Sequence, residues 1–168
     1  MERAKERLVQ WLKDAHAMEA QAETMLKGMA SRLEHYDELR HRVEQHVQET
    51  QAQAKKIEQF LERCGAGTSA LKDMAGKTTG MGQALSGLFV GDEVVKGALA
   101  GYTFEHFEIA SYQALITTAE AAGETEIAEV CRGILKEEEA MANWLREHLP
   151  VVTRAFLARE GMDQPAKR

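Results

Sequence analysis

The chain has few of the residues that interrupt or cross-link a fold. It contains 2 prolines and 2 cysteines in 168 residues. Cys64 and Cys131 stand far apart with no CxxC pairing, which excludes a disulfide framework and a cysteine-based zinc site. Aromatic residues make up only 6% of a chain that is 44% hydrophobic. The balance is carried by Ala, Leu, Met, Glu and Gln, all good helix formers. Positive charge is also scarce, with 21 basic against 27 acidic residues and a net charge of −6, so the average surface repels phosphate backbones and a general nucleic-acid binder is disfavoured. No apolar run approaches the roughly 20 residues that cross a bilayer. The opening MERAKERLVQWLKD lacks the apolar stretch and small-residue cleavage site of a signal peptide. A soluble, cytoplasmic protein without membrane or nucleic-acid partners is expected. Its length fits one domain over residues 1–160, with a polar tail, 161–168, expected to fray.

Four stretches carry the 3.6-residue apolar period of amphipathic helices. The first runs from about Ala4 to Leu33, the second from Tyr36 to Arg63, the third from Glu93 to Ala122 and the fourth from Thr125 to Leu149. The segment from Gly65 to Gly101 holds most of the 13 glycines and reads as a long crossover with a short helix inside it. Pro150 suits the first turn of a short fifth helix, Val151 to Arg159, or a kink at the end of the fourth. The expected fold is all-α. Two antiparallel helix pairs joined by a long crossover between the second and third helices give a ferritin-like four-helix bundle.

The informative residues are those whose polarity contradicts their position. At about 100° per residue, Glu19 falls among Leu12, Ala15 and Ala22 on the first helix. His46 lines up with Leu39, Val43 and Ile57 on the second, with Glu49 and Gln53 following on that face. Glu105 and Glu108 lie between Tyr102, Ile109 and Tyr112 on the third, and Glu138 interrupts Ile134, Leu135, Met141 and Leu145 on the fourth. All four helices thus deliver a carboxylate near mid-length. One glutamate in an apolar stripe commonly sits at its edge and snorkels to water. Several at one level, if ionised, repel one another and are costly to bury unless a cation joins them. Oxygen donors with one imidazole suit iron, or manganese in its place, and two divalent ions would nearly neutralise five carboxylates. Glu38 and His41 form a literal Glu-x-x-His but face away from the stripe. His16 is at the stripe's edge and is the alternative ligand. Tyr102, Tyr112 and Gln53 are placed to hydrogen-bond the candidate ligands.

The segments LKDAHAMEAQAETML, HVQETQAQAKKIEQFLE, FEHFEIASYQAL and LKEEEAMANWL resemble the four core helices of the bacterial YciF/YciE-like proteins, a ferritin-like family associated with stress responses. The likeness covers about residues 5 to 150 and is carried chiefly by the HxxET and EHxEIxxY patterns. It implies a dinuclear metal centre within a bundle related to rubrerythrin and manganese catalase, and a homodimer. Carried over to this chain, the metal ligands are Glu19, His46, Glu49, Glu105 or Glu108, and Glu138. The chain departs from the broader di-iron pattern, in which two helices each carry Glu-x-x-His. His46 precedes Glu49, and Leu135 stands where a symmetry-related histidine belongs. The expected chemistry is redox, either Fe(II) oxidation or peroxide removal. The competing expectation is a nonenzymatic helical protein whose surfaces mediate association. A DNA-protecting shell would need a basic tail, and only Lys167 and Arg168 end this sequence.

Overall fold

A computed structural model describes residues 2–65 and 91–167. They form four long helices: α1 (Glu2–Ala30), α2 (Asp37–Arg63), α3 (Glu93–Ala122) and α4 (Thr125–Gly161). The short helix expected within the crossover lies outside the described residues. Among the described residues, no helix is long and apolar enough to cross a membrane.

Residues 31–36 turn α1 back onto α2, and the α3–α4 turn is tighter still. Gly123 adopts a left-handed φ of 77°. Its N–H donates to the Glu120 carbonyl at 3.1 Å and the next N–H, of Glu124, to the Ala119 carbonyl at 2.9 Å. This paired arrangement is a Schellman motif and favours glycine because a Cβ strains that conformation. Helix α3 packs along α4 and α1 along α2, and the pairs meet mainly through α1 against α3 and more lightly through α2 against α4.

Ion pairs fix the helix directions. Lys5 and Arg63 reach Glu124 and Glu126, so the start of α1 and the end of α2 lie beside the start of α4. At the other end, Arg32 after α1 reaches Glu93 and Glu38 reaches His148. Helices α2 and α3 therefore run in the same direction, the end of α2 lying a bundle length from the start of α3. That is the ferritin-like connectivity.

The fourth helix corrects one expectation. No separate helix begins at Pro150: α4 passes through it and runs on to Gly161. Proline there removes a backbone donor and costs about 3 kcal/mol. The apolar stripe continues past it, however, and Val152 and Phe156 are buried with Leu33, Tyr36, Val94 and Leu145. Their burial, at about 1.5 to 3 kcal/mol each, outweighs the break. The core thus extends beyond the point where the regular bundle was expected to end. The polar tail folds back as well. The Tyr36 hydroxyl donates to the Ala166 carbonyl at 2.5 Å, and the Val94 N–H at the start of α3 donates to the Lys167 carbonyl at 3.1 Å.

Among the described residues, two apolar clusters make up the core. One gathers Leu8, Leu12, Ile57, Leu61, Leu115 and Ile134, and the other Leu26, Leu39, Val43, Met141 and Leu145. Between them, at mid-length, lies a layer of buried polar side chains.

Candidate metal centre

Every helix contributes to this layer: Glu19 from α1, His46, Thr50 and Gln53 from α2, Glu105 and Glu108 from α3, and Glu138 from α4, all at most 2% exposed. Helical geometry explains the grouping. Residues three or four apart share a face, so the stripe that buries Val43 also buries His46 and Thr50, and the stripe that buries Leu115 and Tyr112 also buries Glu108 and Glu105.

His46, Glu105, Glu108 and Glu138 each offer a ligand atom, and these four atoms lie within 4.8 Å of one another. His46 Nε2 stands 3.2 Å from Glu105 Oε2 and 3.3 Å from Glu138 Oε2. These contacts bring opposite charges together but lack the alignment of hydrogen bonds. Of the six residues expected as ligands, the structure therefore joins four in one compact group.

Glu19 and Glu49 stand outside it in different ways. Glu19 is fully buried, accepts a short hydrogen bond from the Tyr112 hydroxyl through Oε1, and has no partner for Oε2. Glu49 keeps 24% of its side chain exposed and faces the other nitrogen of the imidazole, with Oε2 at 2.6 Å from His46 Nδ1. Arg42 Nη1 donates to the same oxygen at 3.2 Å and Gln45 Nε2 to Oε1 at 2.9 Å. A carboxylate on Nδ1 keeps the proton there and leaves Nε2 as the nitrogen facing the cluster.

Electrostatics are strained in a specific way. Burial, and then the Glu138 carboxylate, push Glu19 well above the usual carboxylate range, and burial with Glu19 and Glu138 does the same to Glu108. Burial raises Glu105 to about 7 despite the opposing pull of His46. Burial alone would lower the His46 pKa, but Glu105, Glu138 and Glu49 around the ring outweigh it and push it up to about 12. For Glu49, burial is outweighed by His46 and Arg42, which together hold it below its ordinary value. Burial pushes the Tyr112 phenol well up, reinforced by Glu19.

Among the described residues, the buried side-chain polar atoms without a hydrogen bond are Gln21 Nε2 and seven atoms of this layer: Glu19 Oε2, His46 Nε2, Gln53 Oε1, Glu105 Oε2, Glu108 Oε1 and both oxygens of Glu138. Leaving one such atom unpaired costs about 1 to 3 kcal/mol. All seven are electron-pair donors or, for His46 Nε2, become one on losing a proton. Carboxylate oxygens with one imidazole nitrogen are the donor set that holds iron or manganese, so the residues present fit a metal.

The other candidates resolve plainly. Glu38 and His41 are exposed, and Glu38 pairs with His148 instead. His16 is half-buried at the edge of α1, outside the group of four. Tyr102 packs edge-on against His106 rather than bonding a ligand. Gln53 Nε2 donates to Glu137 at 2.9 Å, so Glu137 braces the layer from outside. Arg42 and Gln45 were not anticipated as supports of this layer. Their only signal is a spacing of seven and four residues before Glu49, which places them on its side of α2.

A four-helix bundle of this connectivity, with a carboxylate and imidazole layer buried at mid-length, defines a helical protein of ferritin-like type. The match to the family model for a domain of unknown function, DUF892, extends over residues 3–158, and the chain belongs to that family. The crystal structure of a protein from Xanthomonas campestris pv. campestris is similar, with 47% identity, a TM-score of 0.80, and coverage of 94% of this chain and 99% of that one. The fold also matches the Escherichia coli stress protein YciF, with 23% identity and a TM-score of 0.70 over 89% of this chain and 96% of that one. YcfI from Rhodopseudomonas palustris matches with 23% identity and a TM-score of 0.67 over 85% of this chain and 92% of that one. The YciF-like resemblance read from the helix motifs is borne out.

Proposed function

We propose that the buried layer is a dinuclear metal centre, with iron as its resident metal and manganese as the alternative, and that the protein serves a stress-related redox role such as Fe(II) oxidation or peroxide removal. The observation that carries this reading is the gathering of unpartnered donors of His46, Glu105, Glu108 and Glu138, from three helices, within 4.8 Å, with the unpartnered Glu19 oxygen of α1 in the same buried layer. His46, Glu105 and Glu138 would hold the first ion, and Glu108 and Glu19 extend the donor set. Glu49 supports the centre through His46 Nδ1 rather than binding metal directly. Bound iron would supply one-electron redox chemistry and Lewis acidity. The chain's own contribution is to exclude water with the apolar clusters on either side, to fix the imidazole tautomer and to supply negative charge that favours the higher oxidation state.

The protein is loaded with Fe(II) under nitrogen and then exposed to air or peroxide while near-ultraviolet absorption is followed. Growth of ferric carboxylate absorption, faster than in protein-free buffer, is the expected result. Iron that binds but stays ferrous with both oxidants would remove the redox role and leave a binding protein.

The nonenzymatic reading has one observation in its favour. Leu99 and Phe107 are 45% and 46% exposed and lie two helical turns apart on the outer face of α3, an apolar surface suited to association. It is compatible with a cytoplasmic homodimer that also carries the centre.

A further inference from the structure

The donors in the layer are chemically unequal, one imidazole nitrogen among carboxylate oxygens, and one residue outside the ligand set stands out. Tyr112 is fully buried, and among the described residues its hydroxyl provides the one side-chain hydrogen bond that Glu19 accepts. A buried phenol needs an acceptor in any case, so the contact alone could be packing. What sets it apart is the other end of the carboxylate: Glu19 Oε2 is buried with no partner, in the same layer as the equally unpartnered Glu108 Oε1 and both Glu138 oxygens.

Resting on the metal-centre reading, we propose that Tyr112 is a positioning residue: by holding Glu19 through Oε1, it leaves Oε2 as a fixed donor and completes, with Glu108 and Glu138, a second metal position made only of oxygen. The first position contains His46 Nε2 with Glu105 and Glu138. An imidazole nitrogen raises affinity for first-row transition ions, while an all-carboxylate set favours harder ions and binds the later transition metals less tightly. The two positions therefore fill in order, the histidine position first. Filling of the second depends on the Tyr112 to Glu19 contact. Without the hydroxyl, Glu19 has neither oxygen held, and ordering its side chain falls to the incoming ion.

The test is a Mn(II) titration of metal-free protein, with free ion measured by its electron paramagnetic resonance signal, for wild type and Tyr112→Phe. Helix content by circular dichroism is checked for both. Wild type is expected to take up two ions per chain in two steps. In Tyr112→Phe, the first step should stay within about threefold of wild type and the second should weaken by about tenfold or more. A packing role for Tyr112 would move thermal stability without separating the steps, so a variant that fills both steps as wild type does overturns the proposal. Wild type that binds a single ion overturns it too, and reduces the proposed centre from a dinuclear to a mononuclear one while sparing metal binding. Wild type that binds no ion removes the metal-centre reading itself. As a second measurement on unaltered protein, the tyrosine near-ultraviolet difference spectrum should change with the second equivalent and not the first, and its absence at the second overturns the assignment.

Discussion

Replacing Glu138 with glutamine is expected to weaken metal binding by at least about 100-fold and, in the same variant, to make the metal-free protein more stable. The opposite signs follow from the position of the residue. Glu138 is fully buried, with both oxygens unpartnered, and its charge helps to raise Glu19, Glu105 and Glu108. It thus faces both candidate metal positions and repels the other carboxylates when no metal is present. Glutamine preserves the shape and removes the charge. His46 keeps Glu49 and Glu105 as partners. Easing the like-charge repulsion on Glu19, Glu105 and Glu108 has a scale of about 1 to 4 kcal/mol. For a chain of this size, that corresponds to a rise in melting temperature of roughly 3 to 12 °C. Calorimetric melts of the metal-free proteins and metal titration of both check the two halves. A cluster that merely held the helices together would give the reverse: Glu138→Gln would melt lower than wild type, with no metal affinity to lose.

The second large effect is in pH. Glu19, Glu105 and Glu108 have folded-state pKa values above their ordinary 4.5. Their stabilising contribution is fully present below about pH 4.5 and is lost as pH rises through the folded values, about 7 for Glu105. His46, also raised, changes in the same direction: its contribution is complete below 6.5 and declines toward 12. Glu49, lowered by His46 and Arg42, acts oppositely and loses its contribution as pH falls below 4.5. The metal-free protein should therefore be most stable near pH 5 and weaken toward pH 8. Glu105 alone accounts for about 3 kcal/mol of that change, equivalent to a fall in melting temperature of roughly 6 to 12 °C. Metal requires deprotonated ligands, so its affinity and the stabilisation it confers both increase with pH. Melts in excess Mn(II) should diverge from metal-free melts as pH rises from 5 to 8. Parallel curves would mean that the buried carboxylates are not what the ion binds.

Much of the fold was legible in the sequence because it rests on local rules. The 3.6-residue period and Gly123 mark α3 at Glu93–Ala122, where the structure has it. Pro150 misled because a proline advertises a break while the stabilisation that overrides it, burial of Val152 and Phe156 against α1, α2 and α3 side chains, is tertiary. The glutamates and His46 were legible for a related reason: a charged residue in an apolar stripe violates the pattern on its own helix. Their division of labour was not. That Glu49 meets the Nδ1 side of His46 depends on a rotamer, and that Tyr112 meets Glu19 depends on the packing of α3 against α1. Neither leaves a trace in periodicity.

Whether this layer holds metal is tested most directly by anaerobic calorimetric titration of metal-free protein with Fe(II) at pH 7. Saturable binding of at least one ion per chain, with a dissociation constant of about 1 μM or tighter and abolished in Glu138→Gln, is the expected result. Heats no larger than dilution for the folded wild-type protein, or equal binding by the variant, would contradict it.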